Sequence, residues 1–144
     1  MTKINAYLTF DGNCREAMTF YQECFGGELT IQTVAESPMA EQTPEAEKDK
    51  VMHANLTKGD LVLMAADMIE HEGAGNERVV QGNAIALSLD CSSEDEINMF
   101  FSNLSAGGQV TMPLAEQFWG ATFGMLTDKF GLNWMLNYDR TGNE

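Results

Sequence analysis

The chain has 144 residues, 44% apolar and 21% charged, which suits one folded domain with its own core and argues against wholesale disorder. Its 22 acidic residues against 8 basic ones give a net charge of −14, with no cluster of Lys and Arg anywhere. Phosphate backbones and anionic lipid surfaces require such clusters, so neither nucleic acid nor a membrane is an expected partner.

In chain order, residues 4–10 alternate between two faces with β-favouring side chains and end at the turn residues Asp11-Gly12-Asn13, which predicts a strand. Asn13 stands where it would cap a helix over 14–25, in which Ala17, Phe20, Tyr21 and Cys24 form an apolar stripe. Gly26-Gly27 ends that helix, and residues 28–35 read as a second strand. The acidic segment 36–50, with Pro38 and Pro44, has no periodicity and reads as a loop, either a lid over a pocket or a plain surface excursion. Two further strands follow, 51–56 and 61–66, joined by a turn at Lys58-Gly59-Asp60. Residues 67–83 read as a linker, and His71, set between Glu70 and Glu72, as a solvated side chain.

The same grammar then returns. Residues 84–90 form a strand, and Ser92-Ser93-Glu94-Asp95 opens a helix with a cap and early acids that suit its dipole. Ile97, Phe100, Phe101 and Leu104 mark the buried stripe of that helix, and Gly107-Gly108 ends it before a strand at 109–111. Strands at 121–127 and 132–138 close the chain. Tyr-Leu-Thr-Phe-Asp at 7–11 matches Ala-Leu-Ser-Leu-Asp at 86–90, Phe20-Tyr21 matches Phe100-Phe101, and Gly-Gly-Glu-Leu-Thr matches Gly-Gly-Gln-Val-Thr, always about 80 residues apart. Three coincidences in one order indicate an internal duplication. The predicted fold is α+β: two tandem βαβββ modules, about 3–67 and 83–139, within one domain spanning 1–144. Each module forms a curved, cup-like mixed sheet with its helix on the outer face.

Three segments carry a family likeness: Asn-Ala-Tyr-Leu-Thr-Phe-Asp-Gly-Asn-Cys-Arg-Glu-Ala-Met-Thr-Phe-Tyr at 5–21, Val-Met-His-Ala at 51–54, and Phe-Trp-Gly-Ala-Thr-Phe-Gly at 118–124. With the paired βαβββ pattern, the chain resembles the PhnB-like family of the glyoxalase/bleomycin-resistance/dioxygenase superfamily, also called vicinal oxygen chelate. Lys129 departs from that pattern, which usually has proline there. Some relatives carry a demethylubiquinone methyltransferase label, but this chain has no glycine-rich strand–loop–helix for S-adenosylmethionine.

In metal-using members, the resemblance implies a His or Gln on the first strand and a Glu on the last strand of each module, holding a divalent Lewis acid. Those positions fall on Asn5 (or Ala6 with a one-residue slip), Ala84, and at or beside Met64 and Met135. None is a normal hard-metal ligand, so no metal site and no cofactor are predicted; a divalent metal held in some other way is the minor alternative. Alternation puts Val51, His53 and Asn55 on one strand face and Met52, Ala54 and Leu56 on the helix-covered face. His53 is therefore the candidate base, or a hydrogen-bonding group to ligand, weighed evenly against a histidine satisfied by its neighbours. Asn5, Tyr7, Thr9, Asn55, Met64 and Met135 are the remaining candidate ligand contacts in the cups. Phe118 and Trp119 cover a pocket mouth or a dimer seam, whereas Trp134 reads as core. No carboxylate is placed on a cup-facing strand position.

The expected function is small-molecule binding without the usual metal centre. The alternatives are a metal-dependent lyase or isomerase of glyoxalase type and a ligand-sequestering resistance-type protein. The resemblance implies a homodimer, since such cups are often completed across two chains. A cytoplasmic location is expected: the opening residues read as no leader, no apolar run reaches bilayer length, and Cys14, Cys24 and Cys91 read as reduced thiols.

Overall fold

The computed structural model describes residues 2–38, 40–42, 45–68 and 79–140. These divide into two compact units, Met1–Val80 and Gln81–Glu144. His71, with the rest of 69–78, lies outside the described residues.

The first unit contains β1 (Ala6–Phe10), α1 (Cys14–Phe25), β2 (Glu28–Thr33), β3 (Val51–Lys58) and β4 (Leu61–Asp67). Its sheet runs β1-β4-β3-β2, with β1 parallel to β4 and the other pairs antiparallel. The second unit repeats this as β5 (Leu87–Asp90), α2 (Glu94–Ser105), β6 (Gln109–Glu116), β7 (Ala121–Thr127) and β8 (Asn133–Asp139), in sheet order β5-β8-β7-β6. Both sheets are mixed and unclosed, and each carries its helix on one face, so the α+β duplication is present in the fold.

Each helix buries its predicted stripe. Ala17, Phe20, Tyr21 and Cys24 of α1 are buried against β2, β3 and β4, as are Ile97, Phe100, Phe101 and Leu104 of α2 against β6, β7 and β8. The opposing sheet rows are apolar: Ala6, Leu63, Leu56 and Leu29 align across the first sheet, and Leu87, Trp134, Leu126 and Val110 across the second. The glycine pair after each helix has a matching role. A Cβ at Gly27 would fall on the carbonyl oxygen of Thr57, and one at Gly108 on that of Thr127, so the chain passes where a side chain has no room.

Several boundaries and one cap differ from the sequence expectation. Ile4, Asn5 and Ala84 lie outside the strands, which begin at Ala6 and Leu87. β2 stops at Thr33, where a capping box between Thr33 and Glu36 turns the chain into a short 3-10 helix. β6 extends to Glu116 through Pro113, which an edge strand with register breaks tolerates. Asn13 makes no side-chain cap on α1. The carboxylate of Asp67, at the end of β4, accepts from the backbone N–H of Gly12 at 3.0 Å and Cys14 at 2.9 Å through Oδ1. Its Oδ2 accepts from Val51 N–H at 2.9 Å. A buried carboxylate remote in sequence thus does the work expected of Asn13. In α2 the local cap is real: Ser93 Oγ accepts from Glu96 N–H at 3.0 Å, and Glu96 reaches back to Ser92. The described part of 36–50 is tied down rather than free-standing. Val34 N–H donates to Lys50 O, Ala35 N–H to Lys48 O, and Lys50 Nζ bonds Glu47 and Met68 O.

Candidate functional site

The face of each sheet turned away from its helix holds the polar and aromatic side chains. On the first sheet, Tyr7, Met64, Asn55 and Thr30 stand in one row across four strands. His53, paired with Gln32, lies in the next row. The rings of Tyr7 and His53 are 6.0 Å apart between centroids and tilted by 41°. Ala54 and Leu56 are fully buried beneath the helix while His53 and Asn55 are only half-buried, as the alternation of side chains requires.

Val51 departs from that alternation. It is 1% exposed and belongs to the core, not to the face of His53. The cause is a register break: Gln32 pairs with His53 but Thr33 pairs with Val51, so Met52 is skipped and the strand changes phase. Asp67 reinforces the turn inward by accepting from Val51 N–H.

The chemistry of the first face is mostly uncharged. Its described strand residues include no Lys or Arg; Lys58 at the end of β3 donates instead to Phe25 O, 2.7 Å away, at the end of α1. Three carboxylates among the described residues do occupy helix-free strand positions, contrary to the sequence reading: Glu28, in the row of Thr57, Asp90, in the row of Asn137, and Asp139, in the row of Ala121. Glu28 and Asp90 stand at ends of edge strands, where a charge stays solvated and discourages edge pairing, and Asp139 is exposed at the end of β8. Asn55 Oδ1 is shielded from solvent and has no hydrogen-bond partner among the described residues. An unpaired shielded acceptor costs roughly 1–3 kcal/mol, so it is a group in want of a donor.

The other sequence candidates are placed as follows. Thr9 is exposed on the face of Tyr7, opposite Ala66, and Asn5 is exposed just before β1. Met135 belongs to the second unit, in a row with Ser88, Met125 and Met112 on that sheet's helix-free face. Sequence reading missed the thioether row, because a register break in β6 between Val110 and Met112, which skips Thr111, is needed to bring Met112 into it. Phe118 and Trp119 occupy the β6–β7 turn, closed by Gly120 N–H to Gln117 O. Phe118 is 97% and Trp119 52% exposed; their rings meet edge-on at 5.0 Å, and Trp119 approaches Phe123 at 6.2 Å. Trp134 is core, its indole N–H donating to Asp128 Oδ2 at 2.8 Å.

All three thiols are buried, and at two of them the thiolate is disfavoured. Burial, with Asp67 nearby, pushes Cys14 up to about 12, and burial with Glu96 and Asp90 does the same for Cys91. Among the described residues no group of three or more His, Cys, Asp or Glu could hold a metal ion, and no helix is long and apolar enough to cross a membrane.

Residues 2–137 match the model of a family described as 3-demethylubiquinone-9 3-methyltransferase. The chain belongs to this PhnB-like family. Protein YjdN of Escherichia coli K12 is 32% identical over 146 residues, covering 93% of each chain. Among solved structures, PA1353 from Pseudomonas aeruginosa is 40% identical with a TM-score of 0.79, covering 96% of this chain and 98% of that one. The PhnB protein from Bacillus cereus is 29% identical with a TM-score of 0.68, covering 95% and 99%. A glyoxalase/bleomycin resistance protein/dioxygenase family enzyme from Burkholderia phytofirmans shares the fold at 16% identity and a TM-score of 0.57, covering 93% and 97%. The PhnB-like family and the glyoxalase-like fold are therefore the frame for the candidate site.

Proposed function

We propose that this PhnB-like protein binds a small molecule on the helix-free face of its first sheet, without the divalent-metal centre of the superfamily's metal-using members. The observation that carries the reading is the convergence of Tyr7, His53, Asn55 and Met64, from three strands, on one uncharged patch that includes the unpaired Asn55 oxygen. An aromatic ring, an imidazole, an amide and a flexible thioether supply stacking, hydrogen bonding and adaptable apolar contact. Where turnover accompanies binding, His53 is the group placed to move a proton.

The donor set supports the metal-independent form. As the resemblance carries them over, the superfamily's ligand positions fall on Asn5 or Ala6, on Ala84, and at or beside Met64 and Met135, and hard cations select none of these amide, methyl and thioether side chains. The methyl transfer named in the family description finds no matching loop. β1 enters α1 through Asp11-Gly12-Asn13, and β5 enters α2 through Cys91-Ser92-Ser93, neither of them glycine-rich. The exposed Phe118–Trp119 pair supports a homodimer with these rings at its seam.

A thermal-shift screen of metabolites and metals on wild type and His53→Ala tests the reading. Stabilisation of wild type by an organic compound, reduced in the variant, is the expected result. Stoichiometric nickel, zinc, iron or manganese in protein purified without chelator would overturn the metal-independent form. Sedimentation as a monomer at micromolar concentration would overturn the dimer.

A further inference from the structure

We propose that the first sheet selects its ligand through a hydrogen-bond donor delivered to Asn55 Oδ1, and that the ligand is an uncharged planar molecule carrying an N–H, either a carboxamide or an N–H heteroaromatic. This rests on reading that face as the binding site. Asn55 Oδ1 is the unpaired acceptor at the centre of the face, and the donors on β2 beside it are directed elsewhere. Thr30 Oγ1 donates to the backbone oxygen of Asn55 at 3.4 Å, and Gln32 Nε2 to the backbone oxygen of Glu36 at 3.4 Å. A ligand N–H supplies what the protein leaves open, and a ligand without one leaves the oxygen unsatisfied; polar sites discriminate most strongly by that difference.

Shape and charge narrow the class further. Tyr7, half-exposed and tilted against His53, offers a ring surface at the edge of the row. Met64, paired directly with both Tyr7 and Asn55, is unbranched and changes rotamer at little cost, so it is the neighbour best able to move and open the shielded oxygen. Among the described strand residues the face carries Glu28 and no Lys or Arg, on a chain of net charge −14. An anionic ligand meets repulsion there with no cation to offset it.

The experiment is an amide NMR titration of the full chain, near neutral pH, with three probes of one shape: benzamide, acetophenone and benzoate. Benzamide is expected to shift signals of Asn55, Tyr7, His53 and Met64 and to bind about tenfold tighter than acetophenone, the size of one hydrogen bond. Benzoate should leave these signals unmoved. Asn55→Leu should bind benzamide no better than acetophenone, with the signals of both helices unchanged. The wild-type comparison decides the matter even if that variant fails to fold. Equal binding of benzamide and acetophenone on this face overturns the donor inference and leaves the binding site standing. Tightest binding by benzoate overturns the charge argument and the inference with it. If no probe moves this face at millimolar concentration, or all shifts fall in the second unit, both the inference and the site reading fall.

Discussion

The rings of Tyr7 and His53 meet at 6.0 Å although their strands are not neighbours: β4 runs between β1 and β3, so the two side chains lean toward each other above it. Tilted aromatic pairs at this separation are coupled by about 0.5–1.5 kcal/mol beyond their burial. Tyr7 is half-exposed, which puts this pair at the lower end. A double-mutant cycle of Tyr7→Leu and His53→Ala, read by urea unfolding, should therefore give a coupling of about 0.5 kcal/mol. Strict additivity would show that the rings do not hold one another in solution.

Asp67 and Asn13 should exchange the importance that their positions suggest. Asp67→Ala removes a carboxylate that ties the start of α1 and the start of β3 to the end of β4. Hydrogen bonds to charged groups are worth about 1.5–3 kcal/mol each and do not add fully, so a loss of about 3–5 kcal/mol is expected. Asn13→Ala, which removes no cap bond, should cost under about 0.5 kcal/mol, less than an ordinary N-cap loss. Urea midpoints of the two variants check the order.

Gly108→Ala and Gly27→Ala should each destabilise by about 2–4 kcal/mol, since the added methyl meets backbone and neither side can yield cheaply. Gly59→Ala is the control. Its φ of 58° lies in the left-handed region but the space around it is open, so only about 1 kcal/mol should be lost. Thermal unfolding of the Gly108 and Gly59 variants separates close approach from backbone strain, whereas Gly27, with a φ of 94°, combines the two.

Stability should fall at alkaline pH through the buried thiols. Folding raises Cys14 and Cys91 from 9.0 to about 12. Between those values the unfolded chain releases protons that the folded chain keeps, so ∂ΔG/∂pH is negative there. Their contribution is complete below pH 9.0 and is lost as pH rises toward about 12. Urea unfolding of wild type across that window, against Cys14→Ala/Cys91→Ala, should show the slope in wild type and a weaker one in the variant. Native protein should also react with a thiol reagent near neutral pH only as fast as it opens.

Much of this protein was legible in its amino-acid order. The stripes at Phe20-Tyr21 and Phe100-Phe101, the paired glycines and the alternation along β3 are local signals, and each reports a period set by helix or strand geometry. They determine the two helices, most strands, the duplication, the burial of Trp134 and the facing of His53 and Asn55. Tertiary structure alone decided what depends on partners distant in the chain. A register break against β2 moves Val51 into the core, and Asp67 replaces Asn13 at the start of α1. A further break in β6, between Val110 and Met112, gathers Met112 with Met125 and Met135. Strand order brings Tyr7 to His53 and leaves Asn55 Oδ1 unpaired between them and Thr30. Periodicity is a property of one segment, whereas register and hydrogen-bond satisfaction are properties of pairs, which exist only once the sheet has formed.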